Sequence, residues 1–217
     1  FKNKMAGSYG DISCFSLQGA KAIAAGEGGI AITDDEELYT RMSMYGHFDR
    51  HSDLFLTEDQ QYLYTGIGHK LRAHPLGIVM ANVDLKFNNY YNSRMLKNEF
   101  YIKSIFDNVN GIKTFCTEDG SQSGGFFGGI PLLVDPRVHD LEFVMGLFKE
   151  HGLTASRYPW PQHHKLTVYG SSKDNILPNT EFFRDNLILI DRRLSVFLPW
   201  TYKYAFKQIK KRLNADF

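Results

Sequence analysis

The chain has 217 residues, 43% hydrophobic and 14% aromatic, enough apolar material to bury a core within one large or two small domains. Its 25 Lys and Arg against 24 Asp and Glu leave a formal net charge of +1, so no global field draws it to nucleic acid or to an anionic membrane. No apolar run approaches the length of a bilayer span, and Cys14 and Cys116 lie far apart in strand-like contexts without any Asn-x-Ser/Thr sequon, which makes the cytoplasm the expected compartment.

In chain order, Ile12, Cys14, Phe15 and Leu17 form a short apolar stretch bounded by Gly10 and Gln18-Gly19, which predicts a buried strand over 11–17. A second strand is predicted over 29–33. The stretch Gln18 to Gly29 that joins them is mostly of small residues and surrounds a single lysine, Lys21, which predicts a loop closely approached by something else. Thr33-Asp34-Asp35-Glu36 then caps a helix to about Tyr45. The mixed, aperiodic stretch from His47 to Gly68 is read as a long ordered loop or lid. Pro75 suits a first helical position, and Leu76, Val79, Met80 and Val83 recur at i, i+3, i+4 and i+7, the pattern of an amphipathic helix.

A looser helix, with Tyr91, Met95, Ile102 and Phe106 roughly on one side, is predicted to follow to about Asn108. After Asn110-Gly111 the pattern becomes strand (112–116), Gly/Ser loop, strand (126–134) and a helix carrying Leu141, Val144, Met145 and Phe148. Another strand is expected over 153–157, a helix starting at Pro178-Asn179-Thr180-Glu181, and a last strand over 194–198. The closing helix should turn Tyr202, Ala205, Phe206, Ile209 and Leu213 inward and Lys203, Lys207, Lys210 and Lys211 to solvent. The chain therefore reads as α/β, with residues 1–86 ending one domain, 87–109 a connecting helix and 110–217 a smaller α/β domain.

A lysine in a small-residue loop just past a strand can be partly desolvated, which favours the neutral amine that attacks carbonyls, although a lysine that simply reaches solvent fits the same residues. The words around Lys21 carry more. Gly7-Ser8-Tyr9-Gly10-Asp11-Ile12-Ser13-Cys14-Phe15-Ser16-Leu17-Gln18-Gly19-Ala20-Lys21, followed by Gly26-Glu27-Gly28-Gly29, closely resembles the cofactor-lysine segment of the DegT/DnrJ/EryC1/StrS aminotransferases, with Leu17 where the family usually has Phe. Asp34-Asp35-Glu36-Glu37-Leu38 and Gly68-His69-Lys70-Leu71-Arg72-Ala73-His74-Pro75-Leu76-Gly77 resemble the next family segments in the same order. The likeness is strong to about residue 86 and looser beyond.

That resemblance implies the type I PLP-dependent transferase fold (aspartate aminotransferase-like), represented by the end of its large domain and its small C-terminal domain. It implies pyridoxal 5'-phosphate held as a Schiff base by Lys21, with Ser16 donating to the cofactor phosphate. Lys70, where many members have Asn, would reach the phosphate of a neighbouring subunit's cofactor, although His69 and Leu71 depart from the family's aromatics; a homodimer is implied. Tyr158-Pro159-Trp160-Pro161-Gln162-His163-His164-Lys165-Leu166 resembles loosely a segment with a histidine near the bound sugar nucleotide, and His164 is taken as that residue. The implied reaction moves an amino group from Glu or Gln to a keto group of a nucleotide-linked sugar or cyclitol. Its rivals are the family's dehydratase branch, in which histidine replaces the lysine, and a non-catalytic binding or regulatory protein of the same fold.

Two further expectations concern what is missing. The family's acidic partner for the cofactor ring lies farther ahead of the lysine than Phe1 lies ahead of Lys21, so an N-terminal half is expected upstream or on a separate chain, and the 217 residues alone are expected to be inactive. No metal site is expected: His47 and His51 have the spacing of two ligands on a helix, but Phe48-Asp49-Arg50 offers no third.

Overall fold

The computed structural model describes residues 1–47, 49–50, 54, 56–65, 68–115, 121, 129–170, 176–191 and 199–215. The chain divides by its internal contacts into two units whose boundary falls between Asn89 and Tyr90.

In the first unit, β1 (Ser13–Ser16) and β2 (Gly29–Ile32) pair antiparallel, with Ser13 opposite Ile32 and Ser16 opposite Gly29. The sequence predicts a buried strand here. Instead Phe15, Ile30 and Ile32 are exposed, because a two-stranded sheet has two faces to cover and the buried apolar cluster beside it holds, among the described residues, Leu17, Ala25 and Ala81 with Ile23 packed against it. Helix α1 (Glu36–Gly46) starts where predicted: the Asp35 carboxylate accepts from the Leu38 N–H at 2.8 Å, satisfying an amide that the first turn leaves without a partner. Within the stretch read as a long loop lies a short helix, α2 (Glu58–Leu63), entered through a capping box in which the Thr57 hydroxyl accepts from Gln60 N and the Gln60 amide oxygen accepts from Thr57 N.

The two helices expected between residues 75 and 108 are one, α3 (Pro75–Phe106), since no glycine or proline after Gly77 interrupts it. Along its first turns Leu76, Val79, Met80 and Val83 share a face at the predicted spacing, yet all four are exposed. Farther along, Met95, Ile102 and Phe106 are buried as the pattern requires.

The second unit is built on a four-stranded antiparallel sheet in the order β3 (Ile112–Thr114), β4 (Ile130–Val134), β6 (Leu187–Ile190), β5 (Ala155–Arg157). Strand β6 is a central strand that the sequence reading missed: Leu187-Ile188-Leu189-Ile190 follows its helix without a turn residue between them, so the run reads as helix end. Alternation along the strands sorts the side chains. Ile130, Leu132, Val134, Ile188 and Ile190 enter one core with the C-terminal part of α3, α4 (Leu141–Glu150) and α6 (Trp200–Ala215). Three phenylalanines from those helices meet there, Phe106, Phe148 and Phe206, with ring centroids 6.0 to 6.2 Å apart. Helix α5 (Pro178–Asn186) packs against β4. Ala205, Phe206, Ile209 and Leu213 of α6 are buried, as its pattern predicts. The strand expected over 194–198, and the segments 116 and 126–128 of two other expected strands, lie outside the described residues.

Candidate active site

Lys21 sits on the connection between β1 and β2, and backbone bonds close that connection on itself. Leu17 N donates to Gly28 O at 2.9 Å, Gly19 N to Gly26 O at 2.7 Å and Ala25 N to Leu17 O at 2.7 Å. Gly26 and Gly28 have φ of 82° and 133°, conformations a side chain would strain, so the return leg of the loop depends on glycine. Lys21 N donates to Gln18 O at 2.8 Å, which folds the lysine's own turn, and the residue is half-buried. The ladder fixes the backbone on both sides of a primary amine. Ser16 ends β1; its hydroxyl oxygen accepts from Gln18 N at 3.3 Å, leaving its O–H free to donate elsewhere, and the residue is exposed.

Helix α3 holds this loop from outside. The Asp84 carboxylate accepts from Ala24 N at 3.0 Å, across 60 residues of sequence. Gly77, one turn into the helix, lies so close to the loop that a Cβ there would stand 2.5 Å from Ala25 O. Neither residue is singled out by the sequence reading. Asp84 is a lone acid in an apolar helical stretch, and that was the available signal.

Lys70 is exposed and belongs to a different part of the same unit. It forms an isolated antiparallel bridge with His47, Leu71 N donates to Gly46 O at 2.7 Å, and the His69 ring stacks on Tyr45 at 5.2 Å, so its segment is tied to the C-terminal end of α1. His47 is buried at that end and its Nδ1 accepts from Asp49 N at 3.3 Å; His51 lies outside the described residues. No group of three or more His, Cys, Asp or Glu suited to a metal ion occurs among the described residues.

His164 lies in the second unit, on a single 3-10 turn (His163–Lys165). It lines a cavity of about 900 Å³ between two walls. One wall is the segment from Tyr158 through Trp160 to His164; the other is α5, through Asn179, Thr180, Phe183 and Arg184. Behind the turn, Lys165 Nζ stands 2.6 Å from Glu181 Oε1, and His164 Nε2 lies 3.8 Å from the same oxygen. The Lys165 ammonium, bonded to the carboxylate, holds Glu181 below the usual carboxylate range against the opposing effect of burial. Sequence reasoning took Glu181 only as part of a helix start and gave Lys165 and Arg184 no role.

A primary amine on a clamped loop and a serine hydroxyl five residues earlier are the donor set that a carbonyl-bearing, phosphorylated cofactor requires. The residues present fit pyridoxal phosphate. The fold is that of the PLP-dependent transferases of type I: the solved aminotransferase of Psychrobacter cryohalolentis superposes with a TM-score of 0.79 at 16% identity, covering 100% of this chain and 59% of that one. The model of the DegT/DnrJ/EryC1/StrS aminotransferase family matches residues 1–193, and the chain belongs to that family. GDP-perosamine synthase of Escherichia coli O157:H7 is 40% identical over 72 residues, 33% of this chain and 18% of that protein. The spore coat polysaccharide biosynthesis protein SpsC of Bacillus subtilis (strain 168) is 26% identical over 171 residues, 75% of this chain and 43% of that protein. The chain thus spans less than half the length of these curated relatives. None of the helices among the described residues is long and apolar enough to cross a membrane.

Proposed function

We propose that this chain is the part of a PLP-dependent aminotransferase that carries the cofactor lysine, and that the enzyme moves an amino group from Glu or Gln to a keto group of a nucleotide-linked sugar or cyclitol. The observation that supports this best is the closed loop around Lys21, with its backbone ladder and the Asp84 tether, in a chain of this family. Pyridoxal phosphate supplies an electron sink when bound. Lys21 Nζ would hold it and, as an amine beside the substrate carbon, would move a proton at that carbon. Because the loop backbone is fixed on both sides, that amine would stay close to the carbon it serves. Ser16 Oγ would donate to the cofactor phosphate, and Lys70 of one subunit would add a point charge at the phosphate held by the other, so the working form is proposed to be a homodimer.

In the second unit, His164 faces the sugar nucleotide, with Trp160, Tyr158 and Phe183 offering aromatic surface and Arg184 a cation for its phosphates. The lysine at position 21 argues against the dehydratase branch, in which a histidine replaces it. The 217 residues alone are proposed to be inactive, a reading supported by their spanning only 18% and 43% of the lengths of the two curated relatives.

The test is reduction of the full-length protein with borohydride in the presence of cofactor, followed by peptide mass analysis and an amine-transfer assay with nucleotide-linked keto sugars. Cofactor mass on the Lys21 peptide and transfer lost in Lys21→Arg are expected, because a guanidinium cannot form the covalent link. No adduct would leave the non-catalytic reading standing.

A further inference from the structure

The cavity in the second unit has two walls that are remote in sequence: the segment ending in the His163–Lys165 turn, and α5. One side chain crosses between them. Glu181 projects from the first turns of α5 and reaches Lys165 Nζ at 2.6 Å. The Lys165 side chain is 35% exposed and that of Glu181 26%, so the pair is partly withdrawn from water. The same oxygen lies 3.8 Å from His164 Nε2, which is sealed from solvent and makes no hydrogen bond among the described residues.

We propose that Glu181 is a positioning residue for His164. Its carboxylate fixes the 163–165 turn to α5, which sets the width of the cavity, and it chooses the tautomer of the imidazole. A carboxylate oxygen is a pure acceptor, so of the two neutral tautomers its field favours the one that carries the proton on Nε2, the nitrogen 3.8 Å away. Nδ1 is then left as the ring's acceptor. His164 in that form receives a hydrogen bond from a ligand hydroxyl rather than donating one to a phosphate. Lys165 completes the device: by neutralising Glu181 it keeps a bare negative charge from lying behind a site that takes anionic ligands, and Arg184, which among the described residues makes an ion pair only with its neighbour Asp185 at 3.4 Å, is a cation on the cavity wall.

This inference rests on the reading of His164 as a substrate contact, and the experiment separates the two. Full-length protein labelled with 15N-histidine is studied by long-range proton–nitrogen correlation, with His164→Gln giving the assignment, in the wild type, Glu181→Gln, Glu181→Ala and Lys165→Met. In parallel, binding of GDP and UDP is measured by calorimetry, and KM for the keto-sugar acceptor is compared with kcat. Wild-type His164 should be the Nε2–H tautomer. Both Glu181 variants should shift toward a mixture of tautomers and raise KM by about tenfold, with kcat and cofactor loading on Lys21 nearly unchanged. Lys165→Met should keep the Nε2–H tautomer while weakening nucleotide binding. A wild-type tautomer population retained in folded Glu181→Ala would overturn the proposal, even if thermal stability fell, since a merely structural carboxylate would move only the stability. If neither nucleotide binds the wild type but the tautomer shifts in the variants, the positioning role stands and the substrate reading falls.

Discussion

A close approach of α3 to the loop that bears Lys21 can be measured by adding one methyl group. At Gly77 a Cβ would stand 2.5 Å from the carbonyl oxygen of Ala25 and 3.4 Å from that residue's carbonyl carbon and Cβ. A normal carbon–oxygen contact needs about 0.7 Å more, so the loop or the helix must move. Any such shift strains the bonds that hold the loop beside Lys21, from Ala25 N to Leu17 O at 2.7 Å and from Ala24 N to the Asp84 carboxylate at 3.0 Å. Overpacking of this kind costs about 1–3 kcal/mol. Against it, alanine gains up to about 1 kcal/mol over glycine inside a helix, so Gly77→Ala should come out destabilised by about 0–2 kcal/mol.

A control isolates the contact. Gly146 lies within α4, and a Cβ there meets nothing within 4 Å. Gly146→Ala should therefore gain the propensity term alone, roughly 0.5–1 kcal/mol. Urea unfolding of both variants measures the difference, and hydrogen exchange at Ala24 and Ala25 locates it: faster exchange at those two amides is expected in Gly77→Ala only. Equal stabilisation by the two substitutions, with unchanged exchange at the loop, would refute the claim that α3 presses on the loop.

Three other outcomes are expected. Phe206→Ala removes the ring that meets both Phe106 and Phe148, and should cost about 3–5 kcal/mol in urea unfolding of the second unit. Asp135 is held at about 2 by its bonds from Arg137, below its ordinary 3.8; a depressed carboxylate stabilises the folded form above the unfolded value, so this contribution should be complete above about pH 4 and lost as pH falls through about 2, and Asp135→Asn should flatten the acid limb of the stability profile. Mixing Lys70→Ala with Lys21→Ala subunits should restore part of the activity that each lacks alone, if Lys70 serves the partner's cofactor; no recovery in verified mixed dimers would assign Lys70 to its own subunit or to solvent.

Local signals were legible where their cause is local. Asp35 caps α1 and Pro75 opens α3 because a side chain at the helix start satisfies or removes an orphan amide, whereas the Asp140 cap of α4 is equally local and was not read. The loop around Lys21 was legible for the same reason, its glycines being demanded by its own backbone. What could not be read is what depends on partners far along the chain. Strand β6 has no turn residue to announce it and is a strand because β4 and β5 flank it on both edges. Likewise Glu181 looks like any acid in a first turn until the 163–165 turn is brought beside it. Thr57 and Gln60 are a further exception: their capping box is a local pattern, and the helix it opens was overlooked within a stretch judged by its lack of period.

Hydrophobic period tells which face of an element is apolar, but it is silent on what covers that face. On the second unit's α6, the period-derived face and the buried face coincide at Ala205, Phe206, Ile209 and Leu213, since the sheet and α4 offer matching surface within the same unit. On the first turns of α3 the period is equally clear, yet Leu76, Val79, Met80 and Val83 are exposed, and so are Phe15, Ile30 and Ile32 on the hairpin. The difference lies in the supply of facing elements: four strands and three helices enclose the core of one unit, whereas the buried apolar cluster beside the hairpin of the other holds, among the described residues, Leu17, Ala25 and Ala81 with Ile23 against it. The loop that bears Lys21 therefore owes its shape less to a hydrophobic core than to directional bonds, the backbone ladder from Leu17 to Gly28 and the Asp84 carboxylate. Such bonds fix positions sharply but contribute only about 1 kcal/mol each, which is why a single methyl group at Gly77 is enough to probe them.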